Sequence, residues 1–250
     1  MFPIRDHNPS GRTPYVTWGL IAVNILVFVI MWPSYSNGPE ISRILANWAL
    51  VPGIVSEGGS PATFLTSMFM HGGLMHLVGN MLFLWIFGDN MEDQFGHLPF
   101  LGFYIASGIG AALAQYLPDP TSLVPMVGAS GAIAGVMGGY LLLFPKARVD
   151  IIIILIIFFR TFTLPAWIVL GVWIGMQTFS GLSTFGAAGG GVAYLAHIGG
   201  FVAGLVLTIP WWLRQGGPAY WSCTHGTPPH PEAEYPWRKS TIPQVPRRKR

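Results

Sequence analysis

The feature that most constrains this chain is the scarcity and clustering of its charges. Between Thr13 and Leu213 only eleven side chains are charged: Glu40, Arg43, Glu57, Asp89, Glu92, Asp93, Asp119, Lys146, Arg148, Asp150 and Arg160. They gather between long apolar runs. A helix needs ~20 apolar residues to cross the hydrocarbon of a bilayer, within a range of roughly 17–25. Six runs approach that length: Tyr15–Trp32, Leu74–Phe87, Leu98–Leu117, Val127–Phe144, Thr163–Phe179 and Gly191–Leu213. The second is short by itself and extends upstream through Met68–Gly73. The expected fold is therefore an all-α polytopic membrane protein with six transmembrane helices. Composition agrees: charged residues are 9% of the 250, against roughly 25% in a soluble domain, and the mean hydropathy is +0.52. These values exclude a soluble globule, a disordered chain and, despite a pI near 9.2, a nucleic-acid binder. The single cysteine, Cys223, excludes an internal disulfide framework and a cysteine-built zinc site.

The connections are legible in the same way. Pro33, Asn37, Gly38 and Pro39 end the first run, Pro118, Asp119 and Pro120 the third, and Pro145 the fourth. Five glycines between Gly181 and Gly191 predict a flexible loop. Val149–Phe159 is strongly apolar, yet as a helix it would span only ~16 Å, and isoleucine favours extended structure. It reads as an interfacial segment, not a seventh span. The positive-inside rule supports that reading. With six spans and the N-terminus inside, the inner connections hold Arg5, Arg12, Lys146, Arg148, Arg160, Arg214, Arg238, Lys239, Arg247, Arg248, Lys249 and Arg250, and the outer ones Arg43 alone. The chain thus divides into a cytoplasmic N-terminus (1–14), a six-span domain (15–213) and a proline-rich, basic, disordered tail (214–250). No signal-peptide cleavage pattern precedes the first span. The expected location is a bacterial-type plasma membrane, with both termini cytoplasmic.

Ionisable groups at membrane depth are costly and therefore point to function. The second span carries His71, His76 and Asn80, the fourth opens with Gly128-Ala129-Ser130-Gly131, and the sixth carries His197. His76 and Asn80, four apart, share a helix face. They fit either interhelical hydrogen bonding or a pair of donors aimed at a developing negative charge. Ser130 alone reads as a helix cap. Its neighbours alter that. Gly131, Gly135 and Gly139 recur every four residues, as do Ala196, Gly200 and Gly204. Small residues at this spacing let helix backbones approach closely. Ser130 flanks one seam and His197 the other. Packing the seams together puts a hydroxyl beside an imidazole, provided both helices run in the same direction, and the one intervening span, Thr163–Phe179, meets that condition.

A serine beside a neutral histidine is the minimum for nucleophilic acyl transfer: the imidazole takes the hydroxyl proton during attack and returns it to the leaving amine. The oxyanion needs prearranged donors, and His76, Asn80 and the Ser130 amide are available. No Asp or Glu lies within the spans near His197, so the expected machinery is a dyad. No metal or cofactor motif appears; His225 and His230 are too isolated to hold a metal.

At these residues the chain resembles the rhomboid family of intramembrane serine proteases. The matching motifs are TSMFMHGGLMHLVGNMLFLWIFGDNMED with Gly96 after it, Phe103-Tyr104, Ser107-Gly108, GASGAIAGVMGGY with Pro145 beyond it, Pro165-Ala166-Trp167, and AHIGGFVAG. They run from Thr66 to Gly204. The resemblance implies a rhomboid-like bundle with Ser130 as nucleophile and His197 as general base. His76, Asn80 and the Ser130 amide would form the oxyanion site. His71 and Gly128 would line the substrate cavity, or His71 would be structural, and Glu92 would stabilise the inner side of the fold. Single-pass transmembrane proteins embedded in the lipid bilayer would be the substrates, cut near the outer surface. Two positions depart from the family. Ala134 replaces an aromatic that commonly stacks on the histidine, so another group must orient His197. Ala62 and Thr63 replace a Trp-Arg pair of the first outer loop. The sequence leaves two other readings: a catalytically silent rhomboid-like adaptor that binds membrane proteins, and a transporter using its histidines as a proton relay. The retained serine and histidine weigh against the first, and the lack of intramembrane carboxylates and inverted repeats against the second.

Overall fold

The computed structural model describes residues 2–155, 158–184 and 193–233. Its frame is a set of apolar helices: α1 (Tyr15–Met31), α5 (Leu74–Phe95), α6 (His97–Tyr116), α7 (Ser130–Leu143), α8 (Ala166–Thr184) and α9 (Tyr194–Arg214). Between α1 and α5 lie the short helices α2 (Gly38–Trp48), α3 (Pro52–Ser56) and α4 (Thr63–Thr66). Among the described residues four helices are long and apolar enough to cross a membrane: α1 with its 3-10 extension, α6, α8 and α9. A fifth candidate is the pair Thr63–Phe69 and Leu74–Phe95, bent by 94° at its break. With 14 residues, α7 is shorter, about 21 Å of rise.

The helix bounds correct several expectations. The second run continues to Phe95, past Asp89, Glu92 and Asp93, because Glu92 is fully buried and satisfied there. Its carboxylate accepts from the amides of Val16 (2.9 Å) and Thr17 (2.8 Å), from Thr17 Oγ1 (2.7 Å) and from His97 Nδ1 (2.5 Å). The first amides of a helix have no intrahelical acceptor, and the helix dipole favours an anion beside them. Glu92 therefore ties α1 to α5 and α6. Residues 163–165 finish a strand, so α8 starts at Ala166 and runs on to Thr184; the rest of the expected glycine-rich loop falls outside the described residues.

The all-α expectation is also corrected. Within Val149–Phe159 the described residues are not helical but belong to a three-stranded antiparallel sheet of β1 (Phe2–Asp6), β2 (Arg148–Leu155) and β3 (Phe158–Pro165), in that order. The β2–β3 register runs from Arg148↔Pro165 to Leu155↔Phe158, and β1 pairs Phe2↔Ile152 through Asp6↔Val149. Asp150 anchors it, accepting from Arg5 Nε (2.6 Å), Thr163 Oγ1 (2.6 Å) and His7 Nε2 (2.9 Å). Burial alone would raise the Asp150 carboxyl, but the bonds from Thr163, His7 and Arg5 outweigh it and hold the group below its usual value. Asp6 differs: burial pushes it up to about 6, against weaker opposing bonds from Asn8 and Tyr140.

The start of the tail is not disordered. Helix α10 (Pro218–Thr224) buries Tyr220, Trp221 Nε1 donates to Leu142 O (2.8 Å), and His230 Nε2 meets Asp93 Oδ2 at 2.7 Å. The Ala233 amide donates to His7 O (2.8 Å), which joins the tail to the N-terminal segment. Residues 234–250 of the expected tail lie outside the described residues.

The centre of the bundle is the parallel contact of α7 with α9. A Cβ added to Gly200 would collide with Gly131 O, one on Gly204 with Gly135 O, and one on Gly138 with Phe201 O. Numbers rise together along both helices, so the two run in the same direction. Helix α6 packs on both: a Cβ on Gly131 would be 2.5 Å from Ala111 Cβ, one on Gly135 would meet Ser107, and one on Gly199 of α9 would collide with Ala114 Cβ.

Two outcomes are expected. Gly204→Val forces α9 off α7 and should cost about 1–3 kcal/mol or more, whereas Gly171→Ala, whose Cβ would meet nothing within 4 Å, should change stability by no more than about 1 kcal/mol. Thermal unfolding in detergent compares them, and equal melting temperatures would contradict the seam. For Asp6, the folded-state value of about 6 exceeds the unfolded value of about 3.9. The neutral form is thus favoured by folding, and this contribution is complete below about pH 4 and lost as pH rises through 6. Asp6→Asn should flatten that part of a stability–pH profile measured between pH 4 and 8.

Candidate active site

Ser130 is the first residue of α7 and follows a backbone that only glycine adopts readily: Gly128 has φ +127°. The Gly128 amide donates to Ser67 O (2.9 Å), which fixes the approach to the helix. His197 stands on the first turn of α9. Because the seam joins the two helices in parallel near their N-termini, the side chains meet: His197 Nε2 lies 2.8 Å from Ser130 Oγ. The juxtaposition expected from the spacing of small residues is present.

The other nitrogen of His197 has a partner that sequence reasoning missed. Nδ1 lies 2.8 Å from Gln177 Oε1. One helical turn earlier, the Trp173 ring packs on the imidazole, with centroids 5.7 Å apart and planes 39° apart. Both residues belong to α8. They hold the histidine at one edge and one face. The available signal was an aromatic and an amide four residues apart within an otherwise apolar run; an amide at membrane depth is as conspicuous as a histidine. Among the described residues His197 bonds Ser130 and Gln177 and no carboxylate.

The remaining expected site residues surround the serine from α5 and the bend before it. His76 Nδ1 accepts from the Gly72 amide (3.3 Å). A neutral imidazole accepting at Nδ1 carries its proton on Nε2. That Nε2 lies 2.9 Å from the place a Cβ on Gly128 would occupy, and Ser130 Oγ lies 3.5 Å from the same place. The missing side chain of Gly128 thus leaves a notch bordered by one N–H donor and one hydroxyl. Asn80, one turn beyond His76, is buried, and its Nδ2 has no acceptor among the described residues. The Ser130 amide opens a helix and has no intrahelical acceptor. His71 is 1% exposed, stands edge-on to His76 at 5.2 Å, and its carbonyl accepts from the Tyr35 hydroxyl. The arrangement is chemically sufficient for hydroxyl deprotonation by an imidazole beside a set of N–H donors.

The family follows from comparison with known proteins. The Rhomboid domain matches residues 58–214, and the chain belongs to the rhomboid family. It is 38% identical over 170 residues to RHOMBOID-like protein 6, mitochondrial, of Arabidopsis thaliana, covering 55% of each chain. It is 28% identical over 204 residues to Rhomboid protease GluP of Bacillus subtilis, covering 82% of this chain and 36% of that one. It is 28% identical over 197 residues to Rhomboid protein 1, mitochondrial, of Saccharomyces cerevisiae, covering 76% and 51%. The chain thus spans about a third to about half the length of these relatives. Family and apolar helices together define an integral, multi-pass membrane protein.

The notch generates its own test. Gly128→Ala would bring a Cβ to 2.8 Å from His76 Cε1 on a backbone strained for alanine. Labelling of Ser130 by a fluorophosphonate is expected to slow by about tenfold or more, in protein that remains folded with a lowered melting temperature. An unchanged labelling rate would mean that the notch has no part in the reactivity of the serine.

Proposed function

We propose that this protein is an intramembrane serine endopeptidase that hydrolyses peptide bonds in or near the transmembrane helices of other membrane proteins. The observation that carries the reading is the 2.8 Å contact between Ser130 Oγ and His197 Nε2. In the proposed mechanism His197 takes the Ser130 proton as Oγ attacks the scissile carbonyl, then delivers it to the leaving amine; water repeats the cycle on the acyl-enzyme. His76 Nε2–H, Asn80 Nδ2 and the Ser130 amide would stabilise the oxyanion, each donor typically being worth a factor of ~10²–10³. A substrate helix must unwind locally before its carbonyl reaches Ser130, so Gly or Pro near the cut would favour cleavage.

The reading includes six crossings, with α5 and the short α7 each counted as one. The hydrogen bonds that join His7 to Arg148 O and Ala233 to His7 O support it, because they gather the N-terminal segment, the α7–α8 connection and the tail at one end of the bundle. An even number of crossings does this. The basic residues concentrated in those segments favour the cytoplasmic side of a cell membrane, and Ser130 and His197 would then open toward the outer side. A silent adaptor would keep the same fold without turnover.

One experiment separates these readings. Purified protein in lipid is treated with a fluorophosphonate and, in parallel, with a model transmembrane substrate. Ser130 should carry the adduct, and Ser130→Ala and His197→Ala should each abolish cleavage. Asn80→Ala should slow it less, by about 10²-fold. Cleavage that persists in Ser130→Ala would remove the protease reading, and a wild type that neither labels nor cleaves would favour the adaptor.

A further inference from the structure

We infer that Gln177 is the positioning residue of His197: its amide oxygen, presented from α8, selects the imidazole tautomer able to accept the Ser130 proton. The inference rests on the serine-hydrolase reading and deepens it. The partner of His197 Nδ1 is an oxygen, Gln177 Oε1, at 2.8 Å. A carbonyl oxygen only accepts, so the proton of the neutral ring resides on Nδ1. Nε2 then carries the lone pair, and Nε2 is the atom 2.8 Å from Ser130 Oγ. The hydroxyl proton therefore points at a base and not at another N–H. In the other tautomer Nε2–H would face Oγ, and no proton could leave the serine.

Geometry adds orientation to tautomer choice. Trp173 covers one face of the ring, and it lies four residues before Gln177, on the same face of α8. Trp173 also packs on Phe201 of α9, at 6.4 Å, so the aromatic is itself held. A face and an edge of His197 are thus fixed by one helix, and Ser130 occupies the opposite edge. Ala134 leaves no aromatic on α7 to do the same. The composition of the surroundings gives Gln177 further weight. The described part of α8 contains no titratable side chain, α7 contains only Tyr140, and α6 only His97, Tyr104 and Tyr116. From α5, His76 is the titratable group on the serine side of the site, while Asp89, Glu92 and Asp93 stand at the other end of that helix. Among the described residues no carboxylate is bonded to His197, and a neutral amide is what determines where its proton resides.

A neutral partner differs from a carboxylate in one measurable respect. It orients the ring without adding negative charge that would stabilise the imidazolium. The site is thereby set to keep its base unprotonated down to lower pH than an Asp-paired histidine would.

The test uses the full-length protein in lipid and three variants. Gln177→Leu keeps the volume and removes the acceptor. It should lower kcat for a model transmembrane substrate by about tenfold or more, leave KM within about twofold, and slow fluorophosphonate labelling of Ser130 in proportion. Gln177→Glu restores an acceptor of the same length. It should recover most of the Gln177→Leu loss and move the acid limb of the kcat/KM–pH profile upward by at least about one pH unit. Trp173→Leu should give a smaller loss with the acid limb in place. Wild-type kcat in Gln177→Leu overturns the inference. So does an unmoved acid limb in Gln177→Glu, which decides the matter alone if Gln177→Leu does not fold. Failure of the protease reading has a different signature, since the wild type itself would then neither label at Ser130 nor cleave.

Discussion

Backbone-to-backbone contact between α7 and α9 is the constraint on which everything else depends. Gly131, Gly135 and Gly138 on one helix and Gly200 and Gly204 on the other leave no room for a single added carbon. In lipid there is no hydrophobic gain from bringing two apolar helices together, so close packing of small residues must supply the attraction. The contact is parallel and lies near the N-terminal ends, so it carries Ser130 and His197 into hydrogen-bonding range as a direct consequence. A helix pair held apart by leucines would keep the same two residues at the same depth but out of reach.

A second set of interactions closes the opposite end. Glu92 neutralises the exposed amides at the start of α1 and binds His97, while Asp150 gathers Arg5, His7 and Thr163 around the small sheet. Asp93 receives His230 from the tail. These carboxylates tie the N-terminal segment, the small sheet and the start of the tail into a folded cap. At the end that holds Ser130 and His197 the polar groups are neutral donors and acceptors, and Asn80 Nδ2 has no acceptor among the described residues.

Several features were legible because they depend on local pattern. Apolar length marked the runs that became α1, α6 and α9, and the strand preference of isoleucine marked the segment that became β2 as extended. The pairing of Ser130 with His197 was also readable, since four-residue spacing of small side chains on both helices implies one seam. Other features depended on contacts between distant segments. The strand Phe2–Asp6 has no strong pattern of its own and exists because β2 offers an edge to pair with. The continuation of α5 through three acidic residues reads as a loop until Glu92 is seen bonded to the amides of α1. The first part of the tail, rich in proline, is ordered by docking of Tyr220, Trp221 and His230 and by the bond from the Ala233 amide to His7 O.

By itself the sequence determined that this chain resides in a membrane, which segments are apolar enough for it, and that a hydroxyl and an imidazole belong to one site. These follow from transfer free energies and helical periodicity, which are properties of single segments. What only the tertiary structure decided is the environment of that imidazole: the amide of Gln177 on its far nitrogen, Trp173 on its face and the glycine notch beside its serine. The reason is that hydrogen bonds act over about 3 Å. Which of many polar groups falls within that distance is set by how helices pack, and no local spacing encodes it.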